Sequence, residues 1–127
     1  MDEAIYALIT SFTAITTEVS DRVFPIIRTQ GSDLPAITYR KVSSPRLYDQ
    51  DGIAMVDQNF DLHVYGKTYG KVEDIITLLE DNLSGASGTF GGEIIEYVQI
   101  EEIGNDDFID EEEIYTDSVE IRIRFKG

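Results

Sequence analysis

The sequence predicts an α+β fold: a mainly antiparallel β-sheet of four to five strands with two α-helices packed on one face, in one domain spanning residues 1–127. Three observations predict it. Two stretches repeat apolar residues at helical spacing, several others alternate apolar and polar residues, and their order sets one helix early and one late among strands with short connections. Strands so connected pair antiparallel, which leaves the helices to cover one face.

The early helix is read from residues 3–17, where Ile5, Leu8, Ile9, Phe12 and Ile15 share one helix face and Asp2 and Glu3 sit favourably at its positive end. Arg22-Val23-Phe24-Pro25 then reads as a brief edge strand ended by proline, and the turn-rich TQGSDLP follows. A second strand runs from about Ala36 to Val42.

Ser43 to Asp51, SSPRLYDQD, carries turn residues with isolated Leu47 and Tyr48 and precedes Gly52, so a loop or protruding hairpin tip is expected. From Ala54 the alternation is clean: Ala54, Val56, Phe60, Leu62 and Val64 point one way, and Met55, Asp57, Asn59, Asp61, His63 and Tyr65 the other. Polar Gln58 interrupts the inward row, which suggests a bulge or an edge position.

Thr68 can cap the late helix, whose buried stripe is Val72, Ile75, Ile76, Leu79 and Leu83, with Ser84-Gly85 as its exit. SGASGTFGG reads as a glycine-rich connector. Strands are expected from Glu93 to Ile103 and from Ser118 to Phe125, the latter with Val119, Ile121, Ile123 and Phe125 inward and Glu120, Arg122 and Arg124 outward.

Composition narrows the function. A chain of 127 residues with 42% hydrophobic residues and thirteen aromatics can bury a core, which excludes a disordered acidic tail. With no cysteine there is no disulfide, thiolate chemistry or cysteine-held metal, as befits a reducing compartment. Acids open MDEAIYALITSF where a secretory signal would carry bases, and no apolar run nears the ~20 residues of a membrane span, so neither export nor a membrane is expected.

Twenty-five acids against ten bases give a net charge of −15. The excess is local: between Val72 and Ile121 there are sixteen Asp or Glu and no Lys or Arg. Direct, sequence-specific nucleic-acid binding is not expected, because affinity for phosphates comes from cations that displace counterions.

Residues 101–114, EEIGNDDFIDEEEI, hold eight carboxylates in fourteen positions. A calcium site is weighed and set aside, since Gly104 precedes the acids and Phe108 and Ile109 interrupt them, unlike an EF-hand loop; a solvated charged loop fits better, and no metal or cofactor is expected. His63, the lone histidine, stands beside Asp61 with no nucleophile elbow to complete a hydrolase, so catalysis is not expected. GTFGGE lacks the Lys-Ser/Thr of a phosphate loop. Arg122, Arg124 and Lys126 form an outward basic ladder, best explained by cross-strand pairing with neighbouring acids.

The segments RVFP, LPAITY and QNFDLHVYGKTYGKVEDIITLLEDNLSG together resemble the tail-completion, or tail-terminator, proteins of long-tailed bacteriophages. Arg22, Val23 and Phe24 match that family's first short strand, Leu34, Pro35, Ile37 and Tyr39 the next, and Leu62, His63, Val64 and Tyr65 the third, within a likeness running from about Ile5 to Phe125. Where the family often carries an RD-type turn before the last strand, this chain has Phe108-Ile109-Asp110-Glu111-Glu112-Glu113.

The resemblance implies a non-enzymatic virion protein that ends the tail tube and meets the head connector as a hexameric ring, in the virion and, during assembly, the host cytoplasm. It further implies an acidic DNA channel that lets the genome pass without sticking. Arg46, Leu47, Tyr48, Asp49 and Asp51 of the first loop, with Asp106, Asp107, Phe108, Asp110, Glu111, Glu112 and Glu113 of the second, are the candidate interface residues, projecting from the sheet edges toward the lumen or neighbouring rings. A monomer is expected in low salt. Three alternatives share the same charge: an acidic DNA mimic that blocks a nucleic-acid-binding protein, a head-side adaptor of the same connector, and a calcium-dependent binding module.

Overall fold

The computed structural model describes residues 2–26, 33–42, 46–50, 53–104, 107–109 and 114–126; for Asp2, 46–50, 53–56, 102–103 and 107–109 only the backbone path is described. Among the described residues, three helices and eight strands follow in the order α1 (Asp2–Thr10), α2 (Thr13–Val19), β1 (Val23–Pro25), β2 (Ala36–Lys41), β3 (Arg46–Gln50), β4 (Ile53–Gly66), α3 (Tyr69–Leu83), β5 (Gly88–Phe90), β6 (Glu93–Ile103), β7 (Asp107–Ile109) and β8 (Ile114–Lys126).

The early helix is broken in two. Thr10 and Ser11 turn their hydroxyls back onto the Tyr6 and Leu8 carbonyls at 2.7 Å each, and Phe12 is extended (φ −94°, ψ 113°). Such hydroxyls compete with the helical ladder and favour its end. Ile5, Leu8, Ile9 and Ile15 are nevertheless fully buried, and Phe12 packs against the core from a half-buried position. The apolar stripe survives the break.

The late helix follows the expectation closely. Thr68 Oγ1 accepts from the Lys71 amide at 3.2 Å, Val72, Ile75, Ile76, Leu79 and Leu83 are buried, and Gly85 leaves the helix with φ 78° while its amide donates to the Val98 carbonyl. Each such buried aliphatic side chain contributes about 1.5–3 kcal/mol by leaving water.

Six strands form the main path of one mixed sheet, in the order β1-β2-β4-β8-β6-β5. All neighbours on it pair antiparallel except β1 with β2, which run parallel. β3 pairs with β4 beyond the end of β2, and β7 pairs with β8 beyond the end of β6. Four to five strands and two helices were too few. The strands missed lie in polar, acidic or glycine-rich stretches, where alternation is faint.

SGASGTFGG illustrates this. Gly88–Phe90 is an edge strand, and Gly91 and Gly92, at φ 57° and 81°, turn it into β6 through a two-residue hairpin that needs positive φ at both positions. Gln58 is buried within the unbroken ladder between β4 and β8, and its amide donates to the Asn59 carbonyl at 2.9 Å. On its other flank the pairing passes from β2, with Lys41 opposite Phe60, to β3, with Arg46 opposite Asp57, so the irregularity expected at Gln58 lies on that side.

α1 touches both β1 and β5, the opposite edges of the sheet. Laid flat, six strands at about 4.8 Å spacing would hold those edges about 24 Å apart, far more than the ~10 Å width of a helix. The sheet therefore curls around the helices. Its concave side is lined by Ile37, Phe60, Leu62, Val64, Val119, Ile121, Ile123 and Phe125, and α3 packs against β4, β6 and β8.

Candidate functional site

The convex face of the sheet is polar and internally paired. Asp57 on β4 and Arg124 on β8 are register partners, and the guanidinium grips the carboxylate with Nε to Oδ1 at 2.8 Å and Nη2 to Oδ2 at 3.1 Å. Arg124 also lies over the Tyr97 ring on β6, 5.1 Å from its centre. One row along, Arg122 donates to Gln99 Oε1 at 2.8 Å and ion-pairs with Glu101 at 3.1 Å, and Asn59 donates to Glu120 Oε2 at 2.9 Å. The expected cross-strand pairing of the basic ladder holds for both arginines.

The negative excess therefore lies elsewhere. On α3 the stripe facing the sheet is apolar, so Asp74 and Asp81 stand exposed on the opposite side, and no cation follows Lys71 within the helix. Lys71 Nζ meets Glu18 Oε2 on α2 at 2.7 Å, and this hydrogen bond, together with the carboxylate's charge, raises the lysine above its ordinary pKa.

Register gives the two acidic segments their places. Gln50 pairs with Ile53 and Ile109 with Ile114, so β3–β4 and β7–β8 are hairpins continuing β2–β4 and β6–β8. In their described parts these segments are strand, and they extend the ends of central strands instead of leaving the sheet edges. Met55 stands opposite Lys126 at one end of the β4–β8 ladder and Gly66 opposite Tyr115 at the other, eleven residues away. At about 3.3 Å per residue the two hairpins are about 36 Å apart, at opposite ends of the sheet.

Arg46, Leu47, Tyr48 and Asp49 thus belong to β3, and Asp107 and Phe108 to β7. Asp51, Asp106, Asp110, Glu111, Glu112 and Glu113 lie outside the described residues. Gly104, just past the end of β6, sits against Ser118: its amide donates to the Ser118 carbonyl at 2.7 Å, and an added Cβ would run into the Ser118 hydroxyl.

Among the described residues, no group of three or more His, Cys, Asp or Glu side chains could hold a metal ion, and no helix is long and apolar enough to cross a membrane. Register puts His63 between Thr38 and Ser118 on the convex face.

Sequence reasoning placed Asp57 among outward polar residues and missed that it is buried. The signal was the register: once β4 and β8 pair, Asp57 and Arg124 share a row. The segments carrying the family likeness are themselves neighbours, since Val23 and Pro25 oppose Ile37 and Tyr39, which in turn oppose Val64 and Leu62. Arg22 ties them to the helices, donating from Nε to the Pro35 carbonyl at 2.9 Å and from Nη2 to the Glu18 carbonyl at 3.3 Å, near the end of α2.

Comparison with known proteins bears on these surfaces. A family model described as "Tail completion protein gp17" matches residues 3–126. No curated protein matches the chain. Among solved structures, a chain of the "Virion of native gene transfer agent (GTA) particle" superposes with a TM-score of 0.73 at 12% sequence identity, covering 98% of this chain and 92% of that one. At that identity the likeness is one of fold.

Proposed function

This chain belongs to the tail completion protein gp17 family of bacteriophage virion structural proteins, and on that footing we propose that it caps the tail tube and joins it to the head connector as a hexameric ring. The single observation carrying this reading is the family match over residues 3–126. Its role is structural: it binds the tube protein on one side and connector proteins on the other, at the head–tail interface, after assembly in the host cytoplasm.

Two features support the division of labour. The β3–β4 and β7–β8 hairpins stand at opposite ends of the sheet, so one can meet the tube while the other meets the connector. Past Lys71, α3 carries Glu80 and Asp81 with no further cation along the helix, so a channel bordered by that end of it would repel DNA phosphates and let the genome slide.

Electron microscopy of particles assembled without this protein tests the reading. Tail tubes of irregular length and heads without tails are expected. Particles of normal length and attachment would refute it.

A further inference from the structure

β6 carries two extra residues, and both are glutamates. Ile95 opposes Phe125 while Tyr97 opposes Arg124, and Ile100 opposes Ile121 while Glu102 opposes Glu120, so the register with β8 slips once at Glu96 and once at Glu101. On the outer side, β5 covers only Glu93, Ile94 and Ile95, and among the described residues no strand pairs with β6 beyond them.

With those two residues left out, the alternation is regular. Ile95 and Val98 are buried and Ile100 packs against the core, while between them Tyr97 lies under Arg124 and Gln99 accepts from Arg122 on the convex face. The two glutamates are therefore insertions into an otherwise ordinary strand. Glu101 reaches Arg122 from its insertion, and Glu96 is exposed.

An edge strand recruits a further strand through the N–H and C=O groups of every second residue. Between the insertions lie only residues 97–100. The Val98 carbonyl accepts from the Gly85 amide at 2.8 Å, so it points away from β8, and alternation sets Ile100 to the same side. Of the two residues that an added strand could use, one already has its carbonyl occupied. Each insertion bends the strand and interrupts its outward row of groups, and the sections left are shorter than the ~5–6 residues of a typical strand.

From this we infer that the insertions at Glu96 and Glu101, with the Gly85 cap between them, make this edge a stop: no strand of a second copy of this chain adds to β6. The inference goes beyond the ring reading and does not need it, because it holds for any assembly of these subunits. Its effect is to bar open-ended growth, since a regular edge would template strand after strand.

Deletion of both Glu96 and Glu101 tests it on the full chain, with Glu96→Gln/Glu101→Gln as the control that removes the same charge and keeps both insertions. In sedimentation at moderate salt the wild type and the control should give species of the same defined size. The deletion variant should form polymers that pellet and that electron microscopy shows as filaments. Circular dichroism and melting show whether it folds. Should it fail to fold, hydrogen exchange of the wild type decides: the Ile100 amide should exchange equally fast in dilute and in concentrated protein.

A folded deletion variant of wild-type size would overturn the inference. A control that also polymerises would overturn it too, because charge and not strand geometry would then be the barrier. So would slowing of the Ile100 amide by about tenfold or more on association, which would place a strand against this edge.

Discussion

Asp57 and Arg124 face each other across β4 and β8 in a two-point grip, Nε to Oδ1 at 2.8 Å and Nη2 to Oδ2 at 3.1 Å, with the carboxylate side chain only 4% exposed and the guanidinium 31%. A buried carboxylate is tolerable when a fork-shaped cation satisfies both its oxygens. The pair also orients Arg124 over Tyr97, so one row of the convex face spans three strands.

Asp57→Asn should cost about 2 kcal/mol, less than a fully buried pair loses because Arg124 is partly wet. The urea midpoint should fall while the slope of the transition stays constant. A loss under about 0.5 kcal/mol would show that the grip adds little.

Thr68→Ala should cost about 1 kcal/mol by stranding the Lys71 amide, and Thr68→Ser should cost far less because it keeps an accepting oxygen. Thermal melting of the two variants side by side decides it. Equal losses would shift the cause from the cap to packing.

Gly91 and Gly92 both have positive φ, yet only at Gly91 would a Cβ strike backbone, meeting Glu3 and Ala4 of α1 at 2.8 Å. Gly92→Ala should therefore cost about 1 kcal/mol of left-handed strain, and Gly91→Ala clearly more. Similar costs at the two positions would mean that α1 does not sit against this turn.

The Lys71–Glu18 contact has an alkaline signature. The folded-state pKa of Lys71 lies above the ordinary value of 10.5, so the contact's stabilisation is fully present below that value and is lost as pH rises through the higher folded value. As pH rises above 10.5, stability of the wild type should fall more steeply than that of Lys71→Met. Parallel slopes in urea titrations would remove this linkage.

Net charge predicts a salt response. With −15 charges per subunit, repulsion reaches about 30 Å at 0.01 M salt but only about 8 Å at 0.15 M. The free protein should sediment as a monomer at the lower salt and associate at the higher. A stable ring at the lowest salt would contradict the idea that repulsion opposes assembly.

Much of the fold was legible in the residues alone. The stripe of Val72, Ile75, Ile76, Leu79 and Leu83, its Thr68 cap and the alternation of Val119 to Phe125 are local signals, because helical and strand periods write themselves into neighbouring positions. The two convex-face arginines were also foreseen as paired, and the segments carrying the family likeness proved to be adjoining strands.

What the sequence could not decide by itself is long-range. The burial of Asp57 depends on a partner sixty-seven residues away, the short strands β3, β5 and β7 exist because longer neighbours hold them, and the curl of the sheet follows from α1 reaching both edges. Local propensity is weak in such segments. Pairing and packing with distant residues supply the energy, so the strands there and the placing of the acidic hairpins at opposite ends were settled only by the tertiary structure.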